Sequence, residues 1–245
     1  MSRPMKRPSA KLHGEEFREG LVTSVPIALG YLAVSFAFGI HATATGLSPI
    51  MSTIISLTSL SSSGQFAGVG IMAAAGSYVE LALAVLTINL RYILMSLSLT
   101  QKLAPMPLWH KLIIGYAVTD EIYAAAIGRD KDVTRDYYVG LMLLPVLGWT
   151  MGTLLGASLG ALLPQDVVNA LGIALYCMFI ALVVPPARKD KSILRAVLLT
   201  AALSLMLAYL PGISALSAGW RVILLALAIP AGLAWRDTRA GGAAV

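Results

Sequence analysis

Hydrophobic residues in this chain come in long blocks, and the few charged residues collect between them. The blocks run over about Leu21–Thr43, Ile50–Ala75, Val79–Leu99, Leu112–Gly128, Tyr138–Leu163, Val167–Val184, Ile193–Leu210 and Trp220–Trp235. About 20 apolar residues are enough to cross the hydrocarbon of a bilayer as a helix. The pattern therefore predicts an all-α polytopic membrane protein of six to eight membrane segments, joined by short turns such as Gly46-Leu47-Ser48-Pro49 and Gly76-Ser77.

Two blocks are not uniform. Ile50–Ala75 is long for one span and is interrupted by Ser61, Ser62, Ser63, Gly64, Gln65, Gly68 and Gly70. It reads either as one tilted, broken helix or as a re-entrant pair with its Ser-Gly tip at mid-membrane. Leu112–Gly128 is short and carries Thr119-Asp120-Glu121-Ile122-Tyr123 in its middle. Backbone that leaves the helix inside hydrocarbon has to be covered by protein or by a wet cavity, so both breaks point to such a place. Eight full spans put Lys102 and Lys111 outside; two re-entrant segments leave six spans and bring both lysines inside. Arg188, Lys189 and Lys191 mark an inside loop, charge-free Pro211–Ala218 an outside one, and Arg236 with Arg239 an inside C-terminus, so both ends are expected in the cytoplasm.

The expected organisation is a cytoplasmic N-terminal segment over 1–20, one transmembrane domain over 21–236 and a cytoplasmic tail over 237–245. Arg3, Lys6, Arg7, Lys11 and Arg18 precede an apolar run that suits a first membrane span better than a cleaved leader. Pro26 lies about a turn and a half inside that run and bends it. Composition agrees: 58% of the 245 residues are hydrophobic and 12% charged, against about 25% charged in a soluble domain, and the mean hydropathy is +0.80. The formal charge of +6 resides in the loops, which argues against a nucleic-acid surface. Cys177 is the only cysteine, so no intrachain disulfide or cysteine metal site is expected. Gly148, Gly152, Gly156 and Gly160 form the small-residue series of a close helix contact in lipid. Pro26–Tyr31 (PIALGY) echoes Pro145–Trp149 (PVLGW), the trace of an internal repeat of the kind on which transporters are built.

The candidate chemistry is polar residues at membrane depth. Asn89 and Arg91 stand near the middle of an apolar block, two residues apart and so about 200° around a helix. An arginine at the bilayer centre costs about 2.5–3.5 kcal/mol on insertion scales. Either Arg91 snorkels to an interface or it anchors a polar cluster with Asp120 and Glu121. Arginine keeps the acid it pairs with ionised, and burial beside a like charge leaves the other able to carry a proton. Glu80 reads as a solvated carboxylate at an interface. Backbone N–H groups at Ser63-Gly64 suit an anionic group, Asp120 or Glu121 suits a cationic one or a coupling proton, and Leu, Ile and Met supply an apolar slot. No nucleotide motif is present, and His13, His41 and His110 lie near segment ends without a nucleophile or metal pairing. An intramembrane enzyme is thereby disfavoured and no cofactor or metal is expected. A non-transporting scaffold or channel subunit is the remaining alternative to a transporter.

The Pro-Ile-x-x-Gly-Tyr start, the Gly-Leu-Ser-Pro loop, the Gly-Gln-Phe break, the Ala-Ala-Gly-Ser turn, the Asn-Leu-Arg element and the Thr-Asp-Glu followed by alanines occur in the order found in the AzlC family of branched-chain amino acid permeases. The resemblance covers residues 14–130 well and the remainder by hydropathy. It implies export of valine, leucine, isoleucine and often methionine across the cytoplasmic (inner) membrane, with a small hydrophobic partner of the AzlD type. By motif it places Ser63, Gly64, Gln65 and Phe66, Asn89 and Arg91, together with Tyr31, at the substrate, and Asp120 and Glu121 with Arg91 in ion pairing or coupling. Ser61-Ser62-Ser63 stands where the family commonly has Ala-Gly, and Tyr92 where it commonly has His. Those departures imply a more hydroxylic pocket.

Overall fold

A computed structural model describes residues 10–164, 166–167, 170, 173, 180, 183–185, 187–209 and 217–241. The segment expected over Val167–Val184, with Cys177, and the loop expected over Pro211–Ala218 lie largely outside these described residues. The helices are α1 Ala10–Ala44, α2 Pro49–Ser59, α3 Ser62–Ala73, α4 Tyr78–Thr100, α5 Leu108–Tyr116, α6 Asp120–Gly128, α7 Arg135–Leu159, α8 Lys191–Tyr209 and α9 Ala218–Gly241, with a short 3-10 turn at Gly160–Leu162. Among the described residues there is no strand, only a parallel bridge between Leu103 and Val133. Among the described residues three helices are long and apolar enough to cross a membrane: His13–Ala44, Tyr78–Thr100 and Arg135–Leu159. The expected all-helical membrane class is therefore the observed one.

Starts and stops follow local chemistry. Ser48, Thr119 and Thr134 cap α2, α6 and α7, each side chain accepting a hydrogen bond from an amide in the first turn. Leu60 ends α2 in a left-handed conformation, φ 44°, its N–H bonded to the Ser56 carbonyl. The break expected over Ser61–Phe66 is thus shorter and earlier, at Leu60 and Ser61, and Ser63–Phe66 already belong to the first turns of α3. The serines cap and start a helix more readily than they interrupt one.

The chain folds as two compact units: one holds residues up to Ser61 with Arg91–Leu163, the other Ser62–Leu90 with the chain from Pro164 onward. In the first, α1 and α7 lie side by side and run in the same direction. A Cβ at Gly20 would stand 2.1 Å from the Tyr137 carbonyl oxygen, one at Gly39 2.3 Å from that of Thr153, and one at Gly156 2.0 Å from that of Phe36. Backbone therefore touches backbone along the pair, the packing expected of the 148–160 glycine series. The two stretches that echo each other lie on these helices, and Tyr31 meets Trp149 edge-on with ring centroids 5.3 Å apart. Tyr138, Leu141, Ile114, Ala117 and Ile122 fill the core beside them.

At one end of this unit the loops lock together. Lys102 donates its Nζ to the Ile127 carbonyl at 2.5 Å, the Val133 N–H bonds the Lys102 carbonyl at 2.9 Å, and the Ala104 N–H bonds the Val133 carbonyl at 3.0 Å. Arg129 reaches Glu19 at 2.8 Å and Glu16 at 3.4 Å and lies over the Tyr137 ring, its centroid 4.0 Å away. Burial works against the Arg129 charge, but the two carboxylates outweigh it and raise its hold on the proton above the ordinary value. The loops before α5 and after α6 thus share one end. With nine residues each, α5 and α6 are about 13 Å long, half the hydrocarbon thickness. The stretch expected over Leu112–Gly128 thus forms two short helices that turn back on each other.

In the second unit α8 packs on α9, and Ile71, Ala84 and Ile223 form a small core. Here one expectation fails: Glu80 is not a solvated carboxylate but 5% exposed. Its carboxylate accepts the Ser217 hydroxyl, and its amide donates to the Ser77 side chain at 3.1 Å. The amide-rich start of α4 favours a carboxylate in its first turn, and a Cβ at Gly219 would stand 2.4 Å from the Glu80 Oε1. Absence of a side chain at 219 makes the space that draws Glu80 inward.

Candidate functional site

The junction between α5 and α6 is where the first unit keeps its polar groups. Two half-helices meet over Ala117 and Val118, both buried, so their ends must find partners inside the protein. The Ala117 carbonyl accepts the Tyr138 hydroxyl at 3.2 Å. Thr119 caps α6, its Oγ1 accepting the Ile122 N–H at 3.4 Å. Asp120 and Glu121 follow in the first turn, at the end of the helix that favours negative charge.

Each acid finds a different partner. Asp120 Oδ2 pairs with Arg91 Nη2 at 3.0 Å. Glu121 Oε2 lies 2.5 Å from the Tyr31 hydroxyl, which is also 2.6 Å from Thr119 Oγ1. Successive helical residues point about 100° apart, which lets one acid face α4 and the other α1. Tyr123 adds a second tie from α6 to α4 through a 2.9 Å hydrogen bond to Ser98. Arg91 leans on its neighbour as well, Nη2 lying 3.4 Å from the Tyr92 hydroxyl.

Depth follows from helix lengths. Arg91 precedes the end of α4 at Thr100, and Asp120 precedes the end of α6 at Gly128, by about 12–14 Å of helix rise. Both ends lie in the locked loop layer of Lys102 and Arg129. The ion pair therefore stands that far from the layer, a distance close to half of the roughly 30 Å of a bilayer's hydrocarbon. The Arg91 and Asp120 side chains are nevertheless 35% and 25% exposed within the chain, so the pair is not sealed inside it.

Of the expected site residues, Tyr31, Arg91, Asp120 and Glu121 are thus collected in one unit. Ser63, Gly64, Gln65, Phe66 and Asn89 belong to the other. There Ser63–Phe66 form the start of α3, with Gly64 buried and Gln65 3% exposed, and Asn89 lies partly buried on α4. Thr119 escaped notice as a site residue, although a threonine followed by two acids in mid-hydrocarbon is itself a helix-start signal. Trp149, which buttresses Tyr31, was legible only as part of a repeat. No group of three metal-ligating side chains occurs among the described residues.

A family model described as AzlC protein matches residues 26–163, a stretch that contains every residue of the candidate site. The inner membrane protein YgaZ of Escherichia coli strain K12 is 29% identical over 196 residues, covering 77% of this chain and 80% of that protein. An uncharacterized membrane protein of Archaeoglobus fulgidus is 31% identical over 171 residues, 69% of this chain and 75% of its own. One from Helicobacter pylori strain 26695 is 23% identical over 148 residues, 59% and 64% respectively. No solved structure matches the chain.

Proposed function

Because this chain belongs to the AzlC family, we propose that it is a secondary transporter that exports branched-chain or related neutral amino acids across the cytoplasmic membrane, together with a small hydrophobic AzlD-type subunit. The observation that carries the reading is the Arg91–Asp120 pair at the α5/α6 junction. Charges at that depth are costly unless they line a wet passage or meet a polar ligand. A zwitterion needs a cationic and an anionic contact held a few ångströms apart, and this pair supplies both. In this reading the locked layer with Lys102 and Arg129 faces the cytoplasm, by the excess of basic residues there.

The test is counterflow in proteoliposomes preloaded with unlabelled leucine, supplied outside with labelled leucine, valine, isoleucine or methionine, with and without the co-purified small subunit. Exchange that Arg91→Ala and Asp120→Asn abolish, while both variants insert normally, is the expected result. A protein that inserts, assembles with its partner and exchanges none of the four is a scaffold, and the transport reading fails.

A further inference from the structure

The two acids of α6 do different jobs. We infer that Glu121, hydrogen-bonded to Tyr31 and through it to Thr119, is the site that takes up and releases the coupling proton, while Asp120 stays paired with Arg91. The inference rests on the transport reading above and adds to it the identity of the coupling ion and of its carrier.

Hydrogen-bond chemistry makes the distinction. Arginine offers five donors and no acceptor. Opposite Arg91 at 3.0 Å, an ionised Asp120 is matched, whereas a protonated one would direct its O–H at a group unable to accept it. Glu121 has no Lys, Arg or His within 4.0 Å among the described residues. Its partner is a hydroxyl, and hydroxyls both donate and accept.

The three oxygens form a chain: Thr119 Oγ1, 2.6 Å to the Tyr31 hydroxyl, 2.5 Å to Glu121 Oε2. With Glu121 ionised, Thr119 donates to Tyr31 and Tyr31 donates to the carboxylate. When a proton from water binds Oε2, the carboxylic acid donates to Tyr31 and Tyr31 donates to Thr119. Both contacts of the Tyr31 hydroxyl are kept in either charge state by turning two hydroxyl rotors, and in the protonated state it is only the Thr119 O–H that gives up its acceptor. Leaving a buried polar group without its hydrogen bond costs about 1–3 kcal/mol, and the Glu121 carboxyl itself avoids that loss in either state. Release reverses the step and returns one proton to water, with no other bond made or broken.

The charged surroundings of Glu121 are few. On its own helix stands Asp120, on α4 Arg91 and Tyr92, on α1 Tyr31, and on α7 Tyr138, whose hydroxyl is committed to the Ala117 carbonyl. Ionisation of Glu121 puts a second negative charge beside Asp120 with one arginine to serve both. Arrival of a substrate ammonium at the pair changes that balance, and so binding of substrate and loss of the proton are linked.

The experiment compares two modes in proteoliposomes carrying the chain and its small subunit. One is exchange of labelled leucine, valine, isoleucine or methionine at equal pH; the other is net movement driven by a pH step without sodium. Wild type is expected to show both. Glu121→Gln, which mimics the protonated acid, is expected to keep exchange and to lose pH-driven movement by about tenfold or more, with exchange no longer varying with pH. Tyr31→Phe is expected to stay coupled with its pH midpoint displaced, a change that loosened packing alone does not produce. Should Glu121→Gln not insert, Glu121→Asp keeps the acid one methylene shorter and is expected to displace the midpoint likewise. PH-driven movement by Glu121→Gln, unmoved midpoints in Tyr31→Phe or Glu121→Asp, or wild-type movement that follows a sodium step instead overturns the assignment and leaves the exporter reading standing. Absence of exchange in the wild type refutes that reading, and the proton site falls with it.

Discussion

Phe36 and Gly156 stand so close that the carbonyl oxygen of one lies 2.0 Å from where a Cβ of the other would be. The contact is backbone on backbone, between the helices that carry Tyr31 and Trp149. Whatever holds α1 against α7 also holds the phenol against Glu121, so packing at this glycine sets the geometry of the site.

Gly156→Ala is therefore expected to destabilise the protein, because a carbonyl cannot yield as a flexible side chain can, and overpacking costs about 1–3 kcal/mol. Gly30→Ala is the control: a Cβ there meets nothing within 4 Å, and replacing a glycine inside a helix gains up to about 1 kcal/mol. Thermal unfolding in detergent should lower the midpoint for the first and hold or raise it for the second.

Removal of either partner of the Arg91–Asp120 pair should cost less than the about 3–5 kcal/mol of a sealed pair, since both side chains keep some exposure. The exchange Arg91→Asp with Asp120→Arg is expected to recover part of the stability lost by each single variant, but not transport. A double-mutant cycle on unfolding midpoints reads this, and a coupling of zero means the two residues do not pair.

Glu80→Ala leaves the Ser217 hydroxyl without its acceptor inside the second unit and should cost about 1–3 kcal/mol, whereas Glu80→Gln keeps a carbonyl oxygen there and should cost less. Gly219→Ala should resemble Glu80→Ala, because the new methyl group would meet Oε1 at 2.4 Å and push the carboxyl out. Limited proteolysis at the α3–α4 turn is a second readout beside melting.

Arg129→Lys is expected to destabilise by about 1–3 kcal/mol despite conserving charge. The guanidinium serves Glu19 through two nitrogens, the Asp132 carbonyl through a third and Tyr137 through its face, and an ammonium cannot do all of these. Its raised proton affinity means that its contribution is complete below the ordinary arginine range and is lost only as pH rises beyond it. The deficit of Arg129→Lys should accordingly stay constant from neutral to moderately alkaline pH in a melting series.

Much of the fold was legible before any tertiary information. The apolar blocks at 79–99 and 138–163 are α4 and α7 to within about a turn, the block at 21–43 is the C-terminal part of α1, which begins about three turns earlier, and the glycine series does make a close contact. The site was half legible. Arg91 and the acids at 120 and 121 are conspicuous against their surroundings, but Asp120 and Glu121 were interchangeable, Thr119 looked like any threonine, and Glu80 read as solvated.

Hydropathy and helical spacing are properties of neighbours along the chain, and they determined the class of protein, the positions of most described helices and the polar residues that would have to be accounted for at depth. They carry no information on which distant helix comes back alongside. Only the tertiary structure decided that α5 and α6 turn round halfway, because that depends on Lys102 and Leu103 meeting Ile127 and Val133. The same return of the chain gave Asp120 to Arg91 and Glu121 to Tyr31, and a missing side chain at Gly219 let Glu80 turn inward. Partner choice among buried polar groups is settled by distances of a few ångströms across the fold, where electrostatic and hydrogen-bond energies vary most steeply.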